Sequence, residues 1–214
     1  MKQLKIDFVS DVSCPWCIIG LKSLEQALTR LNGQVTADLH FQPFELNPQM
    51  ATGGQDMSEH LMQKYNMTEE QAAHNREGIR ARGEALGFTF NLDKRSRIYN
   101  TFDAHRILHW AGLEGKQHAM ELALFDAYFT KGEDPGSHEV LQRVSREAGL
   151  DEERAKAILS SDEFAKEVRE REAFYHRAGI NSVPAVIVND RHLISGGQPP
   201  EVFEQALLQI ATHE

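Results

Sequence analysis

The sequence predicts an α/β fold in which a βαβ unit opens the chain, a large all-helical insertion interrupts it, and a ββα unit closes it. Three observations predict this order. Period-two apolar alternation is confined to the two ends, apolar spacing through the middle is helical, and glycine or proline pairs punctuate the joins.

Residues 4–9, LKIDFV, alternate and place Leu4, Ile6 and Phe8 on one face of a strand. After two cysteines, IIGLKSLEQALTRL sets Leu21, Leu24, Leu28 and Leu31 at helical spacing, and Asn32-Gly33 supplies the stop. VTADLHFQPFEL then alternates Val35, Ala37, Leu39 and Phe41 before Pro43, a second strand. Two strands joined through a helix imply parallel pairing with a right-handed crossover.

The middle reads as helices over 57–65, 68–86, 95–111, 116–130, 137–147, 151–159 and 161–178, with no strand among them. Caps mark several starts: Thr68 with Gln71 three residues on, Ser137, Asp151 and Ser161. Strand character returns in PAVIVND (184–190), where Asn189-Asp190 makes a tight turn into RHLIS and a β-hairpin results. PPEVFEQALLQIAT closes the chain as an amphipathic helix with its prolines at the first turn. The expected organisation is a discontinuous domain of residues 1–48 and 160–214 around an insertion domain of 49–159.

At 214 residues with 41% apolar content, the chain can bury a sizeable core. A net charge of −9 and scattered basic residues speak against nucleic acid as a partner. No stretch approaches the roughly 18 consecutive apolar residues of a membrane span. MKQLKIDFVSDV lacks the pattern of a secretory signal, so a cytoplasmic location is expected.

The only two cysteines, Cys14 and Cys17, sit between the first strand and the first helix in SCPWC. In a reducing compartment a structural disulfide is disfavoured, which leaves redox chemistry, metal binding or plain core packing. At a helix start, unpaired N–H groups and the positive dipole end favour an anion, so Cys14 is expected to ionise readily. An ordinary thiol titrates near about 8.5, and pairs in this setting at roughly 3.5–7.5. Pro15 is preorganised for the first turn, and residues three apart on a helix come within disulfide reach. Cys14 is expected to be the exposed attacking sulfur, with Cys17, one turn deeper, releasing the mixed disulfide. Zinc would need about four ligands. His105 and His109 could complete such a set only by bringing together segments about ninety residues apart, so no metal is expected. Later in the chain, Val183-Pro184 opens a strand; a cis bond there would turn the Val183 backbone outward to pair with an extended substrate.

SCPWC after the first strand, the helical insertion, and SVPAVIV before the terminal hairpin and helix together resemble the DsbA family of thioredoxin-fold oxidoreductases. NTFDAHRILHWA (100–111) and LISGGQPPEVF (193–203) are similar to its cytosolic FrnE-like branch. The resemblance spans essentially the whole chain. It implies a thioredoxin-like domain split by its insertion, Cys14 as nucleophile, Cys17 as resolving cysteine, and Pro184 as the cis-proline facing them. The function it implies is thiol:disulfide exchange with protein or small-molecule thiols, with no cofactor beyond the dithiol and glutathione as a candidate exchange partner. Pro15 and Trp16 between the cysteines depart from the proline and histidine of strongly oxidising members, which leaves the direction of electron flow open.

The resemblance also sets Asn100 and His105, with Asp103 and Arg106, on a helix over the substrate groove; on its own that helix reads as a solvated face. Asp11 is either a proton relay for Cys17 or a loop cap. Gly196-Gly197 reads as a hairpin exit, and Phe125, Tyr128 and Phe129 as core. A glutathione-dependent isomerase or transferase, of the kappa-class or 2-hydroxychromene-2-carboxylate isomerase type, is the alternative. Serine usually replaces the first sulfur in that branch. Nothing in the sequence argues for an oligomeric interface.

Overall fold

The structure, a computed structural model, describes residues 2–213. Strand β1 (Lys2–Ser10) leads through a short loop into α1 (Pro15–Arg30) and then β2 (Val35–Pro43), which pairs with β1 in parallel, Ile6 beside Leu39 and Phe8 beside Phe41. The closing unit is β5 (Ala185–Val188), β6 (His192–Ser195) and α9 (Pro200–His213). β5 runs antiparallel to β1, giving the sheet order β2-β1-β5-β6. The predicted βαβ and ββα units are thus parts of one sheet.

β1 is central and buried on both faces. Leu4, Ile6 and Phe8 join Leu21, Leu24, Phe203 and Leu207, so α1 and α9 cover one face together. Val9 points the other way, into a cluster with Phe44, Tyr175 and Ile180. Each such side chain contributes about 1.5–3 kcal/mol by leaving water, so this layering sets most of the core energy. Asn189 and Asp190 both adopt positive φ, 52° and 58°, as a tight hairpin turn between twisted strands requires.

Between the halves lie β3 (Gln55–Asp56), α2 (Met57–Tyr65), α3 (Glu69–Ala85), β4 (Arg97–Ile98), α4 (Phe102–Leu113), α5 (Gln117–Phe125), a π-helical turn (Asp126–Lys131), α6 (His138–Glu147), α7 (Glu152–Leu159) and α8 (Ala165–Arg177). Thr68 and Gln71 form the expected capping box, and Asp151 accepts from Arg154 N. Three expectations need correction. The helix expected over 95–111 starts only at Phe102, because Arg97–Ile98 pair antiparallel with Gln55–Asp56, and Arg97 also binds the carbonyls of Gly53 and Gly54. The insertion therefore contains a short strand ladder. The last helix of the middle begins at Ala165 rather than 161, since Phe164 sits at φ 63° and Ser161 closes only a local turn to Glu163 N. Ser137 makes no side-chain cap bond.

Three clusters divide the interior, and the two larger ones cross the sequence order. Phe125, Tyr128 and Phe129 of the middle segment pack into the main core, as their composition suggested. Conversely Val12, from the loop before the cysteines, is buried among Ile107, Leu108, Leu124 and Leu141. No described helix is long and apolar enough to cross a membrane.

Candidate active site

The loop from Asp11 to Cys14 is fixed by its own polar atoms. Asp11 accepts from Ser13 N through Oδ1 (3.0 Å) and from Leu46 N through Oδ2 (2.7 Å), tying the loop to the segment after β2. Both carboxylate oxygens are thereby engaged, as a loop cap requires. Cys14 is the N-cap of α1 with extended backbone (φ −91°, ψ 115°), and Pro15 occupies the first turn, where its missing N–H costs nothing.

Cys14 is only 4% exposed, not the open sulfur expected from the sequence. Its Sγ lies 3.7 Å from the Val183 carbonyl oxygen and borders a cavity of about 740 Å³. Val183-Pro184 is cis, and the Val183 N–H makes no hydrogen bond among the described residues. Gly20 and Gly197 permit this closeness: a Cβ on Gly20 would meet Pro184 Cγ at 3.1 Å, and one on Gly197 would meet the Trp16 carbonyl oxygen at 2.9 Å. The Gly196-Gly197 turn therefore seats the α1 start as well as leaving the hairpin.

Cys17 is fully buried, and neither cysteine is bridged. Burial pushes the Cys17 thiol well above its usual range; its hydrogen bond to Cys14 and the charge there push it further, against a backbone hydrogen bond at Asp11. The pair thus carries one negative charge more readily than two. Trp16 is 38% exposed, with the Arg82 guanidinium 5.0 Å above its ring.

The 740 Å³ cavity runs from Cys14 and Trp16 past Phe44, Met57, Leu61 and Ile98, a mostly apolar wall. Its charged lining is Glu45, Lys64, Arg76 and Arg95. Glu45 is buried and paired with Arg169, which also binds Glu172 at 2.9 Å. Burial raises both carboxyls and the Glu172 charge pushes Glu45 further, whereas Arg169 lowers both and a hydrogen bond with Glu45 lowers Glu172. These cavity cations carry no mark in the sequence, because only the folding of α2, α3 and the 91–98 segment around one cavity brings them together with Cys14.

Asn100 and His105 do not line this cavity. Asn100 precedes α4 and caps it, accepting from Phe102 N at 2.9 Å. His105 is buried behind β2, where its Nε2 donates to the Phe44 carbonyl at 3.1 Å. Burial lowers its pKa, so the 3.9 Å approach to Asp11 is not an ion pair. His105 borders a second cavity, of about 430 Å³, with Glu121 and His109. Arg106, expected on a solvated face, is buried and donates to the carbonyls of Ile158, Ser161 and Glu163 as well as to Asp103, pinning α4 to the α7–α8 junction. The described residues hold no group of three or more histidine, cysteine or acidic side chains placed to bind a metal ion.

A buried sulfur behind a cavity-lining one, opposite a cis-proline on a βαβ…ββα sheet, is the arrangement the resemblance implied, and the DSBA-like thioredoxin domain model matches residues 5–208. The chain belongs to that family. As a DSBA-like protein it is a thiol:disulfide oxidoreductase by class. Its structure is similar to a probable DsbA oxidoreductase from Streptomyces coelicolor, at 32% identity and TM-score 0.87, covering 99% of this chain and 91% of that one. The uncharacterised protein YwbO of Bacillus subtilis is 27% identical over 203 residues, 94% of each chain. The same fold occurs in the cytosolic disulfide reductase DsbM from Pseudomonas aeruginosa, solved with GSH, at 18% identity and TM-score 0.63, covering 98% of this chain and all of that one.

Proposed function

We propose that this DSBA-like chain exchanges two electrons between its Cys14 and Cys17 thiols and a disulfide admitted through the 740 Å³ cavity. In the oxidising direction for the protein, the Cys14 thiolate attacks one sulfur of R–S–S–R, forming Cys14–S–S–R and releasing RS⁻. Cys17 then loses its proton and attacks Cys14 Sγ, releasing the second RS⁻. The substrate disulfide is reduced to two thiols, which take the two protons of the dithiol, and the protein pair is oxidised. The reverse sequence oxidises a dithiol substrate.

The observation that carries this reading is the asymmetry of the pair: Cys14 borders the cavity, and Cys17 is sealed behind it with its thiol held protonated by burial. Cys17 therefore waits until a mixed disulfide forms beside it. Val183 offers its free N–H, and the cis Pro184 bond turns that strand entry toward the substrate. No cofactor beyond the dithiol is required. Protein thiols and small thiols such as glutathione are the exchange partners; the GSH held by a reductase of this fold supports the latter, and its cytosolic setting supports the same compartment here. A glutathione isomerase or transferase needs one sulfur or hydroxyl, and the second, buried Cys17 argues for dithiol turnover instead.

The test is a titration of the whole protein in glutathione buffers of stepped potential, with thiols counted by alkylation and mass. A pair that closes with a two-electron transition supports the reading; a pair that stays open under strong oxidant removes it.

A further inference from the structure

The chain carries 32 acidic and 23 basic residues, yet the cavity beside Cys14 reverses that balance. Lys64, Arg76 and Arg95 line it, and none of the three makes an ion pair among the described residues. The one acid in its wall, Glu45, is already taken by Arg169.

Arg95 is the clearest case. Its guanidinium lies 4.9 Å from the Tyr128 ring centre and 5.0 Å from that of Phe129, and Nη2 contacts the Met57 sulfur at 3.4 Å. Its Nε is buried with no hydrogen-bond partner. A guanidinium presents five donors, and a thioether, ring faces and the nearby Tyr128 hydroxyl satisfy few of them. A charge so placed without a counter-ion is costly, and a carboxylate from the cavity would supply both the charge and the missing acceptor, two oxygens matching the fork of the side chain. Lys64 adds a second cation to the lining, its ammonium held at 2.8 Å from the Leu46 carbonyl and 2.7 Å from Asn47 Oδ1. Burial lowers its pKa, against the raising charge of Asp11.

We infer that the small disulfides turned over at Cys14 bear a carboxylate within a few bonds of the sulfur, and that Arg95, assisted by Lys64, is the specificity-determining residue that receives it. A cavity of about 740 Å³ suits a low-molecular-weight reactant. This rests on the oxidoreductase reading above. The redox balance is unchanged: one two-electron exchange, with the diacid disulfide reduced to two carboxylate-bearing thiols as the Cys14–Cys17 pair closes.

The test mixes the reduced whole protein with 3,3′-dithiodipropionate, bis(2-hydroxyethyl) disulfide or cystamine, which are anionic, neutral and cationic. Closure of the pair is read by acid quench, alkylation and mass, and each rate is divided by that of the same disulfide with dithiothreitol. The expected order is anionic, neutral, cationic, with the anionic probe ahead of the neutral one by about ten-fold or more, as one charge-assisted pair gives. That ratio should shrink as salt rises. In Arg95→Gln it should fall toward one, with Arg95→Lys intermediate and Lys64→Gln showing a smaller loss. Equal normalised rates for the anionic and neutral probes, or a ratio unmoved by Arg95→Gln, overturn the carboxylate assignment alone. Closure with none of the three overturns the oxidoreductase reading and this inference with it.

Discussion

Glu121 shows how far burial sets the properties of a single side chain here. It is fully buried, Ser10 Oγ donates to its Oε1 at 2.6 Å, and Oε2 has no partner. Burial pushes its pKa up to about 8, against the lowering effect of the Ser10 bond. In the unfolded chain the same carboxyl releases its proton near about 4.3. Between these values the folded state binds the extra proton, so stability falls as pH rises through that window, by on the order of a few kcal/mol. Glu121→Gln should therefore raise the urea midpoint clearly more at pH 8.5 than at pH 5; an equal shift at both would contradict the assignment. Asp11 behaves oppositely as a structural group: both oxygens are satisfied by backbone N–H donors. Asp11→Ala should cost roughly 2–3 kcal/mol in denaturant unfolding and slow release of a mixed disulfide from Cys14. The placement of Cys14 and Cys17 at the start of α1 was legible in the sequence from spacing, and the resemblance implied the cis Pro184 opposite them. Arg95 and Lys64 were not legible, since nothing local marks a cation that will lack an ion-pair partner. Asn100 and His105, set over the groove by the resemblance alone, lie away from the cavity, because Asn100 precedes α4 and bonds to Phe102 N while His105 turns behind β2 to the Phe44 carbonyl.

At the scale of elements, period and punctuation sufficed wherever a segment satisfies its own backbone. α1, β2, the hairpin and α9 follow from apolar spacing and their turns, and the Thr68 capping box follows from four residues. The failures share a cause. The β3–β4 ladder and the late start of α8 depend on bonds between distant segments or on one left-handed residue, Phe164, which apolar periodicity does not register. Close approach is equally silent in sequence. Gly197 lies against the carbonyl of Trp16, so Gly197→Ala must push α1 or its own loop aside. A loss of about 1–3 kcal/mol is expected, together with slower alkylation of Cys14 as the helix start shifts. Thermal melts and iodoacetamide kinetics would check both, and wild-type values in each would contradict the packing described.

Over the whole molecule, the expected division into a discontinuous domain and an insertion is crossed in both directions by the cores. Val12 anchors the redox loop among insertion helices, and Phe125, Tyr128 and Phe129 anchor the insertion in the sheet core. Such shared burial should make unfolding a single cooperative event. Trp16 beside Cys14 and Trp110 on α4 report the two regions separately. Single-tryptophan variants Trp16→Phe and Trp110→Phe should melt at coincident midpoints by fluorescence, whereas separated transitions would show independent units. The same architecture underlies the chemistry, because it presents Cys14 to a cavity and seals Cys17 behind it. The most direct test of that asymmetry is to treat reduced Cys17→Ala and Cys14→Ala proteins with excess small disulfide and map adducts by peptide mass over time. The structure predicts a rapid, persistent adduct on Cys14 in the first protein and almost none on Cys17 in the second; comparable labelling of Cys17 would contradict it.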